Sequence, residues 1–398
     1  NGAGMAMLRT LSILLSLLAP AHSTRSPDCG GILTPSGLRY RESSPTSPVP
    51  AAGRGHSDIF QNVTGTRISR KQIISVKVDE FSLTVIPDTG MRLSIEVDLG
   101  ITSAPTTTKE MRLSILADLH VEMNPEENLE LVTSDCKPTL EEVQSTEEID
   151  RSAPVFLLHP SAPFAAPFPI TPSCQVQYLP LAAPMYSEQG IIISLQTTFQ
   201  VAGTVIPLPV SPVPFSMPEP ARSSSSHLIL AFSEHFYTSL FSALEESGAL
   251  NVSLLSSLTT ATLADRITQM GSLFQEDLPV VLQAVTRSSP HVELEEDKAT
   301  VKLFLTAQIG AGSSLFQSFL SVNVDVTARL HLSVADTRMI ISVAINGEMR
   351  VVLRQGVFLP HIASFTYTDV NVTIHKDYVL IPCNLQLEAR TREAKTWW

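Results

Sequence analysis

Nucleophilic, metal and phosphate chemistry each demand particular residues at particular spacings, and this sequence offers few of them. Its 398 residues hold no G-x-S-x-G elbow, no H-E-x-x-H pair, no G-x-x-x-x-G-K-[ST] loop and no G-x-G-x-x-G turn. Gly310-Ala-Gly-Ser-Ser314 comes nearest to a phosphate loop, but it lacks the lysine and stands between two strand patterns, so it reads as a strand connection. His120 and His331 fall on the polar phase of alternating stretches, and His235 sits beside Glu234 where a helical pattern begins. Those are places for solvated or capping histidines. Paired acids occur at Glu126-Glu127, Glu141-Glu142, Glu147-Glu148 and Glu295-Glu296. Acid–base work would need a cleft that shifts one pKa of a pair, and these lie in turns or polar runs. The expectation is a protein that is not an enzyme and carries neither metal nor cofactor.

The cysteines and sequons point to a compartment instead. Cys29, Cys136, Cys174 and Cys383 allow at most two bridges, and none forms a C-x-x-C, so neither a zinc site nor a redox pair is supported. Sequons stand at Asn62, Asn251 and Asn371. Asn371 is the best placed of them, because Val370, Val372 and Ile374 would face inward and leave it outside. Met7-Leu8-Arg9 precedes the apolar run Leu11–Leu18, and Ala21-His22-Ser23 supplies small residues at −3 and −1. This is the pattern of a secretory signal peptide over residues 1–23. No other stretch stays apolar for the ~20 residues a membrane helix needs. A secreted, extracellular glycoprotein without a transmembrane anchor is expected. Net charge is −12, and Arg67, Arg70 and Lys71, the densest basic group, are soon followed by Asp79 and Glu80. Nucleic acid is therefore excluded as a partner.

The elements that must position any site are mostly long strands. Ile74, Val76 and Val78 alternate, then the phase shifts to Phe81, Leu83 and Val85, which predicts a bulge near Asp79-Glu80. Met91–Ile101 and Leu113–Met123 keep period two, apolar against Arg, Ser, Asp and Glu. In the second half Val301–Ile309 and Leu320–Val334 do the same, and Met339–Ile345 continues after a turn at Asp336-Thr337. Two helices interrupt the strands. One has Ser233 as N-cap, an apolar stripe of Phe236, Tyr237, Leu240, Phe241 and Leu244, and Gly248 at its end. The other is expected from about Thr262 to Phe274, with Asp277 and Pro279 stopping it. Between Pro154 and Pro220 half of the chain's 28 prolines are gathered. Only Gly190–Val205 reads as strand there, since proline removes the backbone donor. Cys29–Ser57, rich in Pro, Ser, Gly and Arg, reads as irregular.

These features give a fold class of α+β, mostly antiparallel β. The segments are 1–23 signal peptide, 24–66 irregular, 67–153 first β unit, 154–226 proline-rich linker and central sheet, and 227–398 second β unit. Ala117-Asp-Leu-His-Val-Glu-Met123 and Ala328-Arg-Leu-His-Leu-Ser-Val334 share phase, which favours a duplicated barrel. The long apolar faces, with Leu93, Ile95, Val97, Leu113 and Ile115 in one half and Val322, Val324, Val326, Leu330 and Leu332 in the other, could line a site for acyl chains. Such chains offer no hydrogen bonds to be matched. The same residues could equally pack against one another or against helices.

Several runs resemble one family. They are Val176-Gln-Tyr-Leu-Pro-Leu-Ala-Ala-Pro184, the joint from Ile206 to Pro220, Leu228–Phe241 ending at Gly248-Ala-Leu, and Gly356-Val-Phe-Leu-Pro-His361 through Asn371–Lys376 to Leu387. The family is that of bactericidal/permeability-increasing protein, lipopolysaccharide-binding protein and the palate-lung-nasal epithelium clone proteins. The resemblance covers about Ile68 to Leu387. It implies two pseudo-symmetric barrels joined by a central sheet, with apolar lipid pockets and a role in mucosal innate defence. Partners would be phospholipid or another acyl-chain ligand, or microbial-surface or secreted proteins. The acidic balance argues against a charge-driven grip on lipopolysaccharide. The chain departs from the family by lacking the long helix after Cys136 and its counterpart between Arg354 and Gly356, so it resembles a shortened member with its helices partly missing. The family pairs the cysteine matching Cys136 with one on that absent helix. Cys174, Cys29 and Cys383 remain as candidates, and a Cys136–Cys174 bridge is expected.

Overall fold

A computed structural model of the chain describes residues 26–43, 73–104, 107–125, 129–142, 145–146, 167–207, 209, 213–219, 225–265, 274, 276–312, 316–345, 348–360 and 365–387. The expected signal peptide and Asn62 lie outside the described residues. Period-two patterning becomes three antiparallel sheets. The first sheet runs β2 (Ile73–Ile86), β3 (Gly90–Ala104), β4 (Thr107–Met123), β5 (Leu129–Glu142) and β6 (Ser145–Thr146) in that order. The shift expected near Asp79-Glu80 is present, between Val78 and Glu80.

The central sheet has ten strands and draws on more of the chain than the 154–226 segment. Its order is β19 (Phe365–Thr368), β21 (Tyr378–Leu387), β12 (Leu228–Ser233), β1 (Cys29–Leu33), β10 (Gly190–Val201), β8 (Cys174–Pro180) and β7 (Phe168–Thr171). Off this path, β9 (Met185–Ser187) and β11 (Thr204–Val205) pair with β10, and β20 (Thr373–His375) pairs with β21. The third sheet is β13 (Val252–Thr259), β14 (Pro279–Glu295), β15 (Lys298–Ala311), β16 (Gln317–Ala335), β17 (Arg338–Ile345) and β18 (Glu348–Phe358).

Two expectations are corrected. Cys29–Ser57 is not irregular at its start: β1 is a central strand, and α1 (Pro35–Ser43) follows it. Two glycines hide this strand from a propensity reading, yet Gly30 is needed, because a Cβ there would stand 2.6 Å from the Ile193 carbonyl oxygen. The proline-rich joint also holds more strand than Gly190–Val205. β7 and β8 tolerate Pro169 and Pro180 because β7 is a sheet edge and Pro180 is the last residue of its strand. Of the second helix, expected from about Thr262 to Phe274, the described residues hold α3 (Thr260–Ala264), capped by Thr259 in a capping box with Thr262, and residues 266–273 lie outside them.

Turns follow a rule. Asp88, Asp297, Asp336 and Asp377 close four hairpins at φ 59, 58, 53 and 73, the left-handed region that aspartate tolerates through its short polar side chain. The main core forms where α2 (Glu234–Glu246) is laid between the central and third sheets. Ser233 caps it by accepting from the Phe236 amide at 3.3 Å. Phe236 packs on Phe232 with ring centres 4.7 Å apart and on Phe199 at 6.2 Å. Thr238 Oγ1 accepts from Val292 N at 3.2 Å, and Glu234 Oε2 from Leu294 N at 2.8 Å, so the helix is tied to β14 by its polar groups as well. The first sheet joins the centre through Tyr186, whose hydroxyl accepts from Val121 N at 2.8 Å above a cluster of Leu38, Met91, Leu119 and Ile191.

Candidate functional site

Register places the candidate lining residues of each half on one face. In the first sheet Leu93 lies opposite Ala117, Ile95 opposite Ile115 and Val97 opposite Leu113. Val97 and Leu113 are buried together with Leu99, and Ile95 and Ile115 pack on them half-buried. The other face of the same strands is ionic: Arg92 Nε binds Asp118 at 2.8 Å and Arg112 Nε binds Asp98 at 2.9 Å. Two-faced strands of this kind leave one apolar side for a core or a ligand.

In the third sheet the apolar face is longer and its character changes along its length. Ala299, Val301, Ala328 and Leu330 are closed off in the main core near α2. The same face continues through Leu303–Val326, Leu305–Val324, Ala307–Val322 and Ile309–Leu320, then across β14 to Val252 opposite Ala284 and Leu254 opposite Leu282. Here it opens: Val252 and Leu254 are 44% exposed, Leu320 and Val322 47%, and Val324 38%. Leu330 is thus core, Val326 and Leu332 are intermediate, and Val322 and Val324 lie on an open apolar surface. Contiguous exposed aliphatic area of this kind marks binding surfaces.

Where the resemblance would place a helix, between Arg354 and Gly356, the chain stays in β18. β18 runs straight through the position. Ile341 pairs with Leu353 and Met339 with Val357, so β18 carries extra residues there, and Gly356 turns at φ 68. A bulge stands where the resemblance implies a helix.

One cluster has the residue types of a hydrolytic triad and went unnoticed in the sequence, because Asp28, His235 and Ser239 are scattered along it. Asp28 accepts from Thr197 N at 2.9 Å and from the Thr197 hydroxyl. His235 Nδ1 lies 3.9 Å from Asp28 Oδ2 and 3.5 Å from Ser239 Oγ. Both neighbours therefore meet the same ring nitrogen, whereas relay catalysis needs acid and nucleophile on opposite nitrogens. All three residues are also buried. Burial pushes the Asp28 carboxyl up to about 6 against the opposing hydrogen bonds from Thr197. The cluster is a structural joint between β1, β10 and α2.

The expected Cys136–Cys174 bridge is not formed. All four cysteines are free thiols. Cys174 is buried in the main core, while Cys136 packs half-buried on the Met91–Leu119 cluster, so the two belong to different cores. Burial raises the Cys174 thiol to about 11 and Cys383 to about 12, and raises Cys29 well above its usual value. Buried neutral thiols of this kind are inert. Asn251 and Asn371 are exposed, as glycan acceptors must be, and Val370, Val372 and Ile374 pack on the core beneath Asn371. Among the described residues no group of His, Cys, Asp and Glu could hold a metal ion, and no helix is long and apolar enough to cross a membrane.

The C-terminal domain model of the LBP / BPI / CETP family matches residues 171–346. BPI fold-containing family B member 2 of Homo sapiens is 23% identical over 54% of this chain and 57% of its own. The crystal structure of lipopolysaccharide binding protein aligns at a TM-score of 0.45 with 14% identity, covering 91% of this chain and 99% of that one. Protein TENP of Gallus gallus is 49% identical over 95% of this chain and 99% of its own. That alignment spans 443 residues against the 398 of this chain, so the relative carries segments within it that are missing here. With nearly half its residues shared across almost the whole of both proteins, the chain belongs to the LBP / BPI / CETP family, as a shortened member.

Proposed function

We propose that this chain is a secreted lipid-binding protein that receives acyl chains on the open apolar face of its third sheet. The observation that carries this reading is the continuity of that face. It leads from sealed core at Ala328 and Leu330 to the exposed Val252, Leu254 and Val324 without a polar interruption. Hydrocarbon laid there gains roughly 25 cal/mol for each Å² of apolar surface removed from water, and asks for no hydrogen-bond partner. Membership of the family supports the same ligand class and a role in mucosal innate defence. The equivalent face of the first sheet, with Leu93, Ile95 and Ile115, would be a second, more enclosed place for the ligand.

Protein purified from a eukaryotic secretory host and analysed by native mass spectrometry and lipid extraction should carry phospholipid or another acyl-chain lipid. A clean lipid-free mass counts against the reading. Leu254→Asp places a carboxylate on the face, away from the edge of the sheet at β16. It should reduce bound lipid several-fold while moving stability by under about 1 kcal/mol, since the site is exposed. A second reading has its own support in the openness of the face: a non-catalytic interaction protein that covers these residues with a protein partner. Capture of a secreted partner that persists after delipidation would favour it over the first.

A further inference from the structure

Most long sheet edges in this molecule are protected against pairing. β2 carries Lys77, Asp79 and Glu80 with a register shift at Val78/Glu80. β5 carries Asp135, Lys137 and Pro138, with a shift opposite Asp118/Leu119. β13 breaks register between Leu255 and Thr259 and starts directly after the Asn251 sequon, where a glycan would stand beside it. Charges, prolines and bulges are the devices that keep edges from joining other chains.

Along Leu320–Ala328, β16 has neither proline nor bulge. β17 pairs only with Arg329–Ala335, so from Leu320 to Ala328 the strand has a neighbour on the β15 side alone among the described residues. This stretch keeps unbroken register with β15 and reads Leu-Ser-Val-Asn-Val-Asp-Val-Thr-Ala, without lysine or proline. Its one charge, Asp325, is already held by Arg287. Ser321 and Asn323 are exposed on one face, and Leu320, Val322 and Val324 on the other.

We propose that this edge pairs antiparallel with the same edge of a second copy of the chain, about a two-fold axis at Asn323. Residues directly opposite one another in an antiparallel pair share a face, so the register must set even positions against even ones. With the axis at Asn323, Leu320 meets Val326 of the second copy, Val322 meets Val324, and Ser321 meets Asp325. The only charge of the Leu320–Ala328 stretch then faces a hydroxyl and never its own copy. Asn323 Oδ1 accepts from Thr306 at 3.0 Å, which leaves its amide NH₂ to donate across the axis. Pairing like with like closes the assembly at two, whereas β13 against β16 would be heterologous and would run on into a filament. The dimer rests on backbone pairing, does not depend on the lipid reading, and makes the two open apolar faces continuous.

Sedimentation of the glycosylated, delipidated full chain tests this at micromolar concentration. The wild type should sediment as a dimer. Asn323→Lys and Asn323→Asp each set like charges face to face at the axis and should weaken association roughly tenfold or more, with unchanged far-ultraviolet circular dichroism. An equimolar mixture of the two variants puts lysine opposite aspartate and should restore the dimer. A monomeric wild type, variants that dimerise as well as the wild type, or a mixture that stays monomeric would each overturn the proposal.

Discussion

Asp28 shows how far a single side chain can set the behaviour of this protein. Its carboxyl is held at about 6 by burial, against 3.8 in the open chain, so the folded state binds the proton more tightly than the unfolded one. Its contribution to stability is therefore fully present below pH 3.8 and is lost as pH rises through about 6. At 1.36 kcal/mol per unit the loss amounts to about 3 kcal/mol. Urea unfolding from pH 4 to 7 should show this decline in the wild type and a flatter profile in Asp28→Asn; parallel profiles would remove Asp28 as its source. The thiols give a second test at the same scale. Ellman's reagent should find only Cys136 in the native protein, slowly, and release Cys29, Cys174 and Cys383 on unfolding. Their rapid reaction in the folded state would contradict the burial described. Neither site was legible in the sequence, because Asp28, Thr197 and His235 meet only through tertiary structure. The expected Cys136–Cys174 pair rests on elimination among the remaining cysteines, and elimination does not tell that the two thiols belong to different cores.

Elements were legible in proportion to their length and to how wet one face is. Leu320–Val334 alternates because β16 keeps its polar residues on one face and its apolar residues on the other, and the cap at Ser233 could be read because a helix end must satisfy its amides locally. β1 failed on both counts: its five residues are nearly all inside, so no alternation marks it, and its strand conformation is imposed by β10 and β12. Periodicity also told which residues share a face without telling what covers it. Leu113, Leu330 and Val322 looked alike in the sequence, yet the first two are 1% and 2% exposed and the third 47%. The helix α2 makes the opposite case, since nearly all of it is buried. Phe236, fully enclosed between Phe199, Phe232 and Tyr237, should cost about 3–5 kcal/mol on truncation to alanine. Thermal or urea denaturation measures it, and a cost under ~1 kcal/mol would mean that the helix is not the centre of the core.

At the scale of the whole molecule the central sheet is the joint, and β1 is its narrowest part. Among the described residues β10, β8 and β7 lie on one side of it and β12, β21 and β19 on the other, with no ladder between β10 and β12. The α2 aromatics also bridge the two sides, through Phe199 on β10 and Phe232 on β12, so loss of β1 should loosen the sheet without dissolving the core. Gly30→Val supplies that loss: its Cβ would meet the Ile193 carbonyl oxygen at 2.6 Å and Met217 Sδ at 2.7 Å, and backbone cannot give way as a side chain can. The segment between β11 and β12, residues 207–226, is in no strand pairing among the described residues and joins strands on opposite sides of β1. Limited proteolysis of Gly30→Val should therefore cut there first, leaving a C-terminal fragment that begins near Leu228 and retains α2 and the third sheet. Gly31→Ala is the milder control, since the nearest atom to its added Cβ belongs to the movable Leu230 side chain at 3.1 Å and the nearest backbone oxygen, of Ile229, stands at an ordinary 3.7 Å, so it should leave the wild-type cleavage pattern. If Gly30→Val resists protease as well as the wild type, β1 does not hold the two sides together and the α2 core alone must do so.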